Sequence, residues 1–203
     1  MSLWAIVPVK SLQNGKTRLQ RVLSEEARAE LNRSLLIHTL EVLQALCPPI
    51  EQILVTSPDA AALALARRYG ARTLHESHGA GLNQALSSAI LLAKERRVHG
   101  VLILPIDLPQ MQPEDVKAIL YHGQQSPVGV IVPDRRLKGT NALFLSPPDL
   151  ISPAFGEASF RHHSQAVRES GARLEILILE RLAFDLDTPE DLIYYHEILQ
   201  NSC

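Results

Sequence analysis

Between residues 10 and 21 the charged side chains are Lys10, Lys16, Arg18 and Arg21, with no acid among them. They follow directly on the apolar run Trp4–Val9, which reads as a buried strand. Cations concentrated where a strand ends could hold a polyphosphate, because they offset the charge of phosphate oxygens. Each such charge-assisted bond is worth roughly 1.5–3 kcal/mol. The far end of the chain carries the opposite sign: Glu180, Asp185, Asp187, Glu190, Asp191 and Glu197 against Arg181 alone. Two readings are open, chance surface charge or a cation-plus-metal phosphate site whose halves come from opposite ends of the sequence.

Asp107 sits at the end of the run GVLILPID, where an acid can reach a magnesium ion and, through it, the oxygens of a triphosphate. A turn or helix-capping aspartate is the plain alternative. Asp185 and Asp187 lie in FDLDTPEDL; if Phe184–Asp187 is extended, side chains alternate and both carboxylates point to one face. Two acids on one face repel unless a cation lies between them. The competing reading makes Asp187 the cap of a helix starting near Pro189, with Glu190 and Asp191 favoured in its first turn by the helix dipole.

Gly15-Lys16-Thr17 after a strand invites a P-loop reading. The pattern G-x-x-x-x-G-K-[ST] needs glycine at position 10, where backbone must approach phosphate, and Lys10 stands there. Gly79–Asn83 is a glycine loop opening a helix; Gly81 would let a base or ribose approach, and Asn83 can donate and accept. Gly139-Thr140 and Gly156–Ser159 repeat the theme of glycine beside a hydroxyl, a pattern suited to anions. Ser159 as a plain helix N-cap is compatible with that. His162 and His163 are adjacent, so a helix sets them about 100° apart and they do not share a metal from one face.

These residues need elements to place them. Strand-like runs recur at 3–9, 52–57, 100–106, 128–133, 141–145 and 173–179, mostly separated by helical patterns. That alternation predicts an α/β fold, a Rossmann-like three-layer α/β/α sandwich with a mainly parallel sheet and ligands at the carboxyl ends of the strands. After Gly81, Leu82, Ala85, Leu86, Ala89, Ile90 and Ala93 fall on one helical face. A longer helix runs from about Glu25 to Leu46 with Ser24 as N-cap, and Pro58-Asp59 and Pro113 open two more.

Composition bounds the rest. The 203 residues, 46% hydrophobic, fit one domain spanning 1–203. The two cysteines, Cys47 and Cys203, form no disulfide framework or CxxC pair. A net charge of −2 argues against a general nucleic-acid binder. The N-terminus runs directly into strand-like sequence, and no apolar stretch nears the roughly 20 residues of a membrane helix, so a soluble cytoplasmic protein is expected. An amphipathic helix can face its own core or a second copy, which leaves a homodimer open.

Taken in order, PVK(x)5KTRL at 8–19, GLN at 81–83, LPIDLP at 104–109, PDR(x)3GTNAL at 133–143, FGEASFRHH at 155–163 and the Asp185–Asp187 segment span nearly the whole chain. The pattern resembles the 2-phospho-L-lactate/phosphoenolpyruvate guanylyltransferases of coenzyme F-420 biosynthesis, of nucleotide-diphospho-sugar transferase-like fold. One departure is Phe184, where the last motif would begin with Leu.

The resemblance implies a nucleotidyltransferase that joins GMP from GTP to a small phosphorylated three-carbon acid, phosphoenolpyruvate or 2-phospho-L-lactate, and releases pyrophosphate. By resemblance Pro8, Lys10, Lys16 and Arg18 face the nucleotide, and Gly81 and Asn83 lie near the guanosine. Lys16, Arg18 and Asp107 are the catalytic residues. Asp107, Asp185 and Asp187 hold Mg2+, and Thr140, Gly156 and Ser159 hold the acceptor. The rivals are a P-loop hydrolase, another nucleotidyltransferase (molybdenum-cofactor guanylyltransferase-like or CTP-using) and a non-catalytic GTP-binding module.

Overall fold

Strand β1 (Leu3–Pro8) is buried at every position, as its unbroken apolar character requires. The computed structural model describes residues 2–76, 79 and 81–201; Ala80 of the glycine loop and Cys203 lie outside them. β1 joins β2 (Gln52–Ser57), β3 (Arg72–His75), β4 (Gly100–Ile103), β5 (Val128–Pro133), β6 (Thr140–Ser146) and β7 (Arg173–Ile176) in a seven-stranded sheet of order β3-β2-β1-β4-β6-β5-β7. β1 runs parallel to β2 and β4, β2 to β3, and β5 to β7. β6 is antiparallel to both its neighbours, β4 and β5. Residues 134–139 join β5 to β6, a connection too short for the dozen or more residues that a parallel crossover needs.

The helices are α1 (Glu25–Gln44), α2 (Ala60–Arg68), α3 (Leu82–Glu95), α4 (Pro113–His122), α5 (Ser159–Glu169), α6 (Glu180–Ala183) and α7 (Pro189–Asn201). Their starts obey the sequence. Ser24 Oγ accepts from Ala27 N–H at 3.2 Å, Asp59 Oδ1 accepts from Ala61 N–H at 2.8 Å, and Pro113 opens α4 inside a Gln112–Asp115 capping box. The strands differ in places from those expected. β3 is not among the expected runs: it has exposed and half-buried residues instead of an apolar run, because it is the sheet's edge. β7 stops at Ile176. β4 stops at Ile103, although Leu104 N–H still donates to Ile6 O at 3.0 Å.

Alternation along β1 divides the interior. Leu3, Ala5 and Val7 pack with Leu36, Leu40 and Leu43 of α1 and with Val116 and Ile119 of α4. Trp4 and Ile6 face the other way, against Leu86, Ala89 and Ile90 of α3 and Val167 of α5. This gives the three layers.

A third, smaller cluster matters most for the site. Leu19, from the basic loop, packs against Phe184 and Leu186, all of them essentially fully buried, with Leu23, Leu31, Leu192 and Tyr195 around them. Apolar contact therefore brings residues 19 and 184–186 together from opposite ends of the chain. Phe184 and Leu186 are buried while Asp185 and Asp187 are only partly so, the alternation expected of an extended segment. Leu186→Ala should lower stability by about 2–5 kcal/mol, the usual cost of a leucine-to-alanine cavity. Urea unfolding measures this, and a midpoint unchanged from wild type would show that the cluster holds nothing together.

Candidate active site

The basic loop leaves β1 at Val9 and is fixed from several sides. Asp59 Oδ2 accepts from Leu12 N–H at 2.8 Å and Ser11 Oγ at 3.2 Å, while its Oδ1 caps α2. Asn32 Nδ2 donates to Leu12 O at 2.8 Å, and Arg28 Nη1 to Gly15 O at 3.0 Å. A Cβ on Gly15 would lie 2.6 Å from Asn32 Nδ2 and 2.7 Å from Ser11 O, so only glycine lets the loop lie this close to α1. Burial pushes the Asp59 carboxyl up, and the hydrogen bonds from Leu12, Ala61, Ala62 and Ser11 outweigh it and hold it below the usual range.

Lys16 follows in the left-handed region, φ 53° and ψ 41°. That conformation is uncommon for a residue with a side chain and is held by its surroundings. It carries the ammonium inward: the side chain is only 6% exposed, and Nζ stands 3.5 Å from Asp107 Oδ2, 3.9 Å from Asp187 Oδ1 and 2.5 Å from Leu186 O. Arg18 Nη1 meets Asp187 Oδ2 at 2.5 Å. Leu186 N–H donates to Asp107 O at 2.9 Å, tying the two acid-bearing segments by backbone. The residues expected at a phosphate site from positions 16, 18, 107, 185 and 187 are thus one cluster.

A cleft of about 200 Å³ opens beside it, walled by Pro8, Lys10, Lys16, Asp107, Asp187 and Leu82. A second, of about 140 Å³, lies on the other side of Asp187, with Arg18, Asp134, Arg135, Asp185 and Thr188 in its wall. Asp185 is the perturbed acid. Burial first, then the Asp107 carboxylate, with Asp191 and Asp134 adding to it, raises Asp185 above the ordinary carboxylate range.

Among the described residues no three His, Cys, Asp or Glu side chains stand together as a metal-ligand group. Of the three acids expected to hold a metal, Asp107 and Asp187 both pair with Lys16, Asp187 also with Arg18, and among the described residues Asp185 has no cation partner beside the Asp107 carboxylate. Magnesium in phosphate sites usually takes one or two carboxylates and fills its remaining positions with phosphate oxygens and water. The repelling pair Asp107 and Asp185 suits that mode.

Asp187 does not cap α7. Thr188 and Asp191 do so reciprocally: Thr188 N–H and Oγ1 both donate to Asp191 Oδ2 at 2.9 Å, and Asp191 N–H donates back to Thr188 Oγ1 at 3.3 Å. The T-x-x-D spacing is the signal that would have shown it. Asp191 also pairs with Arg135 at 2.7 Å. The Arg135 guanidinium lies 4.6 Å from the Phe184 ring centre, which assigns Phe184 a packing role and makes Arg135 part of the support.

The residues Thr140, Ser159 and Gly156 form a separate group on β6 and the start of α5. Thr140 N–H donates to Ser159 Oγ at 2.9 Å. Ser159 is not the cap of α5; Ala158 precedes the helix in the left-handed region, and the serine hydroxyl goes to the strand. Gly156 has φ 127° with no atom near a would-be Cβ, a position that demands glycine and leaves open space. Asn141 Nδ2 donates to Leu182 O at 2.8 Å, joining this strand to the segment that carries the acids.

Asn83, expected near the guanosine, has both ends of its amide engaged within the protein. Its Oδ1 accepts from Phe155 N–H at 2.7 Å and its Nδ2 donates to Phe155 O at 3.0 Å, so its amide clamps the Gly156 loop to the start of α3. Gly81 has an ordinary φ of −74° and open space around it. The sequence reading weighed His163 only as a metal ligand beside His162 and missed its place here, fully buried and hydrogen-bonded to Thr140; its i, i+4 spacing from Ser159 on one helix face was the available signal.

The family model for "Guanylyl transferase CofC like" matches residues 3–199. The chain belongs to that family. It is 42% identical over 192 residues to the phosphoenolpyruvate guanylyltransferase of Rubrobacter xylanophilus, covering 95% of this chain and 92% of that one. It is 34% identical to the 2-phospho-L-lactate guanylyltransferase of Methanothermobacter thermautotrophicus, covering 95% and 83%. A solved chain from Desulfovibrio desulfuricans G20, provisionally assigned as a nucleotide-diphospho-sugar transferase, superposes with a TM-score of 0.80 at 19% identity, covering 100% and 90%, and shares the fold. No helix among the described residues is long and apolar enough to cross a membrane.

The raised Asp185 has a consequence for stability. Its folded value lies above the unfolded one, so the folded state binds the extra proton between the two. Stability from this group is full below the unfolded value and is lost as pH rises through the folded one. In EDTA, Asp185→Asn should therefore melt higher than wild type at pH 7 and equal to it near pH 3. A variant that melts lower at pH 7 would mean that Asp185 is not strained by its neighbours.

Proposed function

We propose that this protein is a guanylyltransferase that joins GMP from GTP to phosphoenolpyruvate or 2-phospho-L-lactate, releasing pyrophosphate. The observation that carries the reading is the meeting of Lys16 with Asp107 and Asp187 in a chain of this family, which makes one site from the basic loop and the distant acids.

An oxygen of the acceptor phosphate attacks the α-phosphorus of GTP, a new P–O bond forms, and the bond from that phosphorus to the oxygen bridging to the β-phosphate breaks. The nucleophile is already an anion at neutral pH, so no protein base takes a proton. The barrier lies in bringing two polyanions into line, and position and charge offset it.

Lys10, exposed at the mouth of the larger cleft beside Pro8, and Arg18 take the triphosphate. Lys16, held by its carbonyl and carboxylate partners, keeps a positive charge at the floor of that cleft. Asp107 and Asp185 would hold magnesium, which supplies charge neutralisation at the phosphates when bound; Asp187 orients Lys16 and Arg18. Thr140, Ser159 and the Gly156 backbone receive the acceptor's phosphate and carboxylate through neutral donors. The same reading makes it a cytoplasmic enzyme of small-molecule substrates.

Pyrophosphate release with GTP, ATP and CTP, each crossed with phosphoenolpyruvate, 2-phospho-L-lactate and 3-phosphoglycerate, tests this. GTP with one of the first two acids should dominate. A preference for CTP would place the chain among other nucleotidyltransferases. Binding without turnover would make it a non-catalytic module, and release of inorganic phosphate a hydrolase. Asp107→Ala should fold normally and lose on the order of 10²-fold or more in turnover, as removal of a metal-held charge at the phosphates implies. Near-normal pyrophosphate release by folded Asp107→Ala would sink the magnesium assignment.

A further inference from the structure

His163 is fully buried and its two ring nitrogens are both engaged. Ala154 N–H donates to Nε2 at 2.9 Å, and Nδ1 lies 2.9 Å from Thr140 Oγ1. A backbone N–H can only donate, so Nε2 must be the unprotonated nitrogen. The ring proton is then on Nδ1, and Nδ1–H is the donor to Thr140. Phe155 packs edge-on against the ring at a centroid distance of 4.9 Å, fixing its plane.

The consequence falls on the threonine. Its hydroxyl oxygen accepts from His163, which leaves the hydroxyl's own proton to be given elsewhere. Ser159 Oγ is set the same way, because it accepts from Thr140 N–H. Two neighbouring hydroxyls thus each have one lone pair occupied and their own proton left to give, an arrangement that serves an anion. Resting on the acceptor placement proposed above, we infer that His163 is a positioning residue for the acceptor: as a neutral Nδ1–H imidazole it fixes the Thr140 hydroxyl as a donor to the acid's phosphate or carboxylate. Burial, and then the neighbouring His162, lower the ring to about 4, which keeps it neutral and therefore unable to add a cation to the site.

A buried histidine that only fills space and anchors the 154–155 loop is the competing role, and side-chain length separates the two. His163→Gln can present an acceptor near the Nε2 position and keep the Ala154 bond, but it has no donor at the Nδ1 position. His163→Asn can place a donor near Nδ1 and gives up Ala154. In steady-state assays His163→Gln should raise the acceptor's KM about three- to tenfold, the equivalent of one lost neutral hydrogen bond, with KM for GTP unchanged and kcat nearly so. His163→Asn should recover most of the acceptor KM even where its melting temperature is lower. Thr140→Val should raise the acceptor KM at least as much, and adding His163→Gln to it should change nothing further.

Equal effects of Gln and Asn, or GTP and acceptor KM rising together, would overturn the inference in favour of a structural histidine. Thr140→Val raising the acceptor KM while His163→Gln leaves it unchanged would overturn it and spare the acceptor placement. An unchanged KM in Thr140→Val would remove both. Should the histidine variants not fold, the wild-type ring decides: 15N shifts at pH 7 must show Nδ1 protonated and Nε2 bare, and the reverse tautomer or a charged ring ends the proposal.

Discussion

The buried ammonium of Lys16 is the interaction on which the site depends. Burying a lysine side chain to 6% exposure is costly unless its ammonium is paired and hydrogen-bonded, and here two carboxylates and the Leu186 carbonyl provide both. The same charge answers a second problem, since Asp107, Asp185 and Asp187 would otherwise concentrate negative charge at one point. Each half of the site is unfavourable alone and tolerable only beside the other. The apolar meeting of Leu19 with Phe184 and Leu186 supplies the non-directional part of that joint and sets the distance at which the charges interact.

Two strained groups sit at the same place, where binding geometry is imposed against local preference. Lys16 takes a left-handed backbone, and Asp185 is held above the ordinary carboxylate range by burial and by Asp107. The surrounding fold supports both. Arg28, Asn32 and Asp59 hold the basic loop, while Asn141 and the reciprocal Thr188–Asp191 cap hold the acidic segment. The strained residues lie in the loop after β1 and just after α6, and their supports lie on helices and strands or cap them.

Much of this was legible in the residues. The strand starts, the α3 face, the Ser24 and Asp59 caps and the in–out alternation at 184–187 follow from periodicity and capping chemistry, which act over a few positions. The antiparallel β6 could have been read from the short 134–139 connection, yet its own sequence carries no sign of direction. β3 was not legible because an edge strand need not be apolar. What sequence pattern could not supply is partner choice. Asp187 next to a helix looks like a cap until tertiary contact gives it Lys16 and Arg18, and Asn83 looks ligand-facing until Phe155 takes both ends of its amide. The role of His163 was not legible because a buried histidine differs from an exposed one only in what surrounds it.

The two sides of the site differ in kind, and the reaction explains why. On the proposed nucleotide side the groups are charged: Lys10, Lys16, Arg18 and the acids that would hold a metal. A leaving pyrophosphate gains negative charge as the bond breaks, so fixed cations there stabilise the transition state more than the ground state. On the proposed acceptor side Thr140, Ser159 and the Gly156 backbone are neutral, and His163 behind Thr140 is kept uncharged. An acceptor phosphate must stay electron-rich to attack phosphorus, and a full cation pressed against it would weaken it as a nucleophile. Hydroxyl and amide donors orient the anion at smaller cost to its reactivity. Such a division is what a site needs when one phosphate must leave and another must attack.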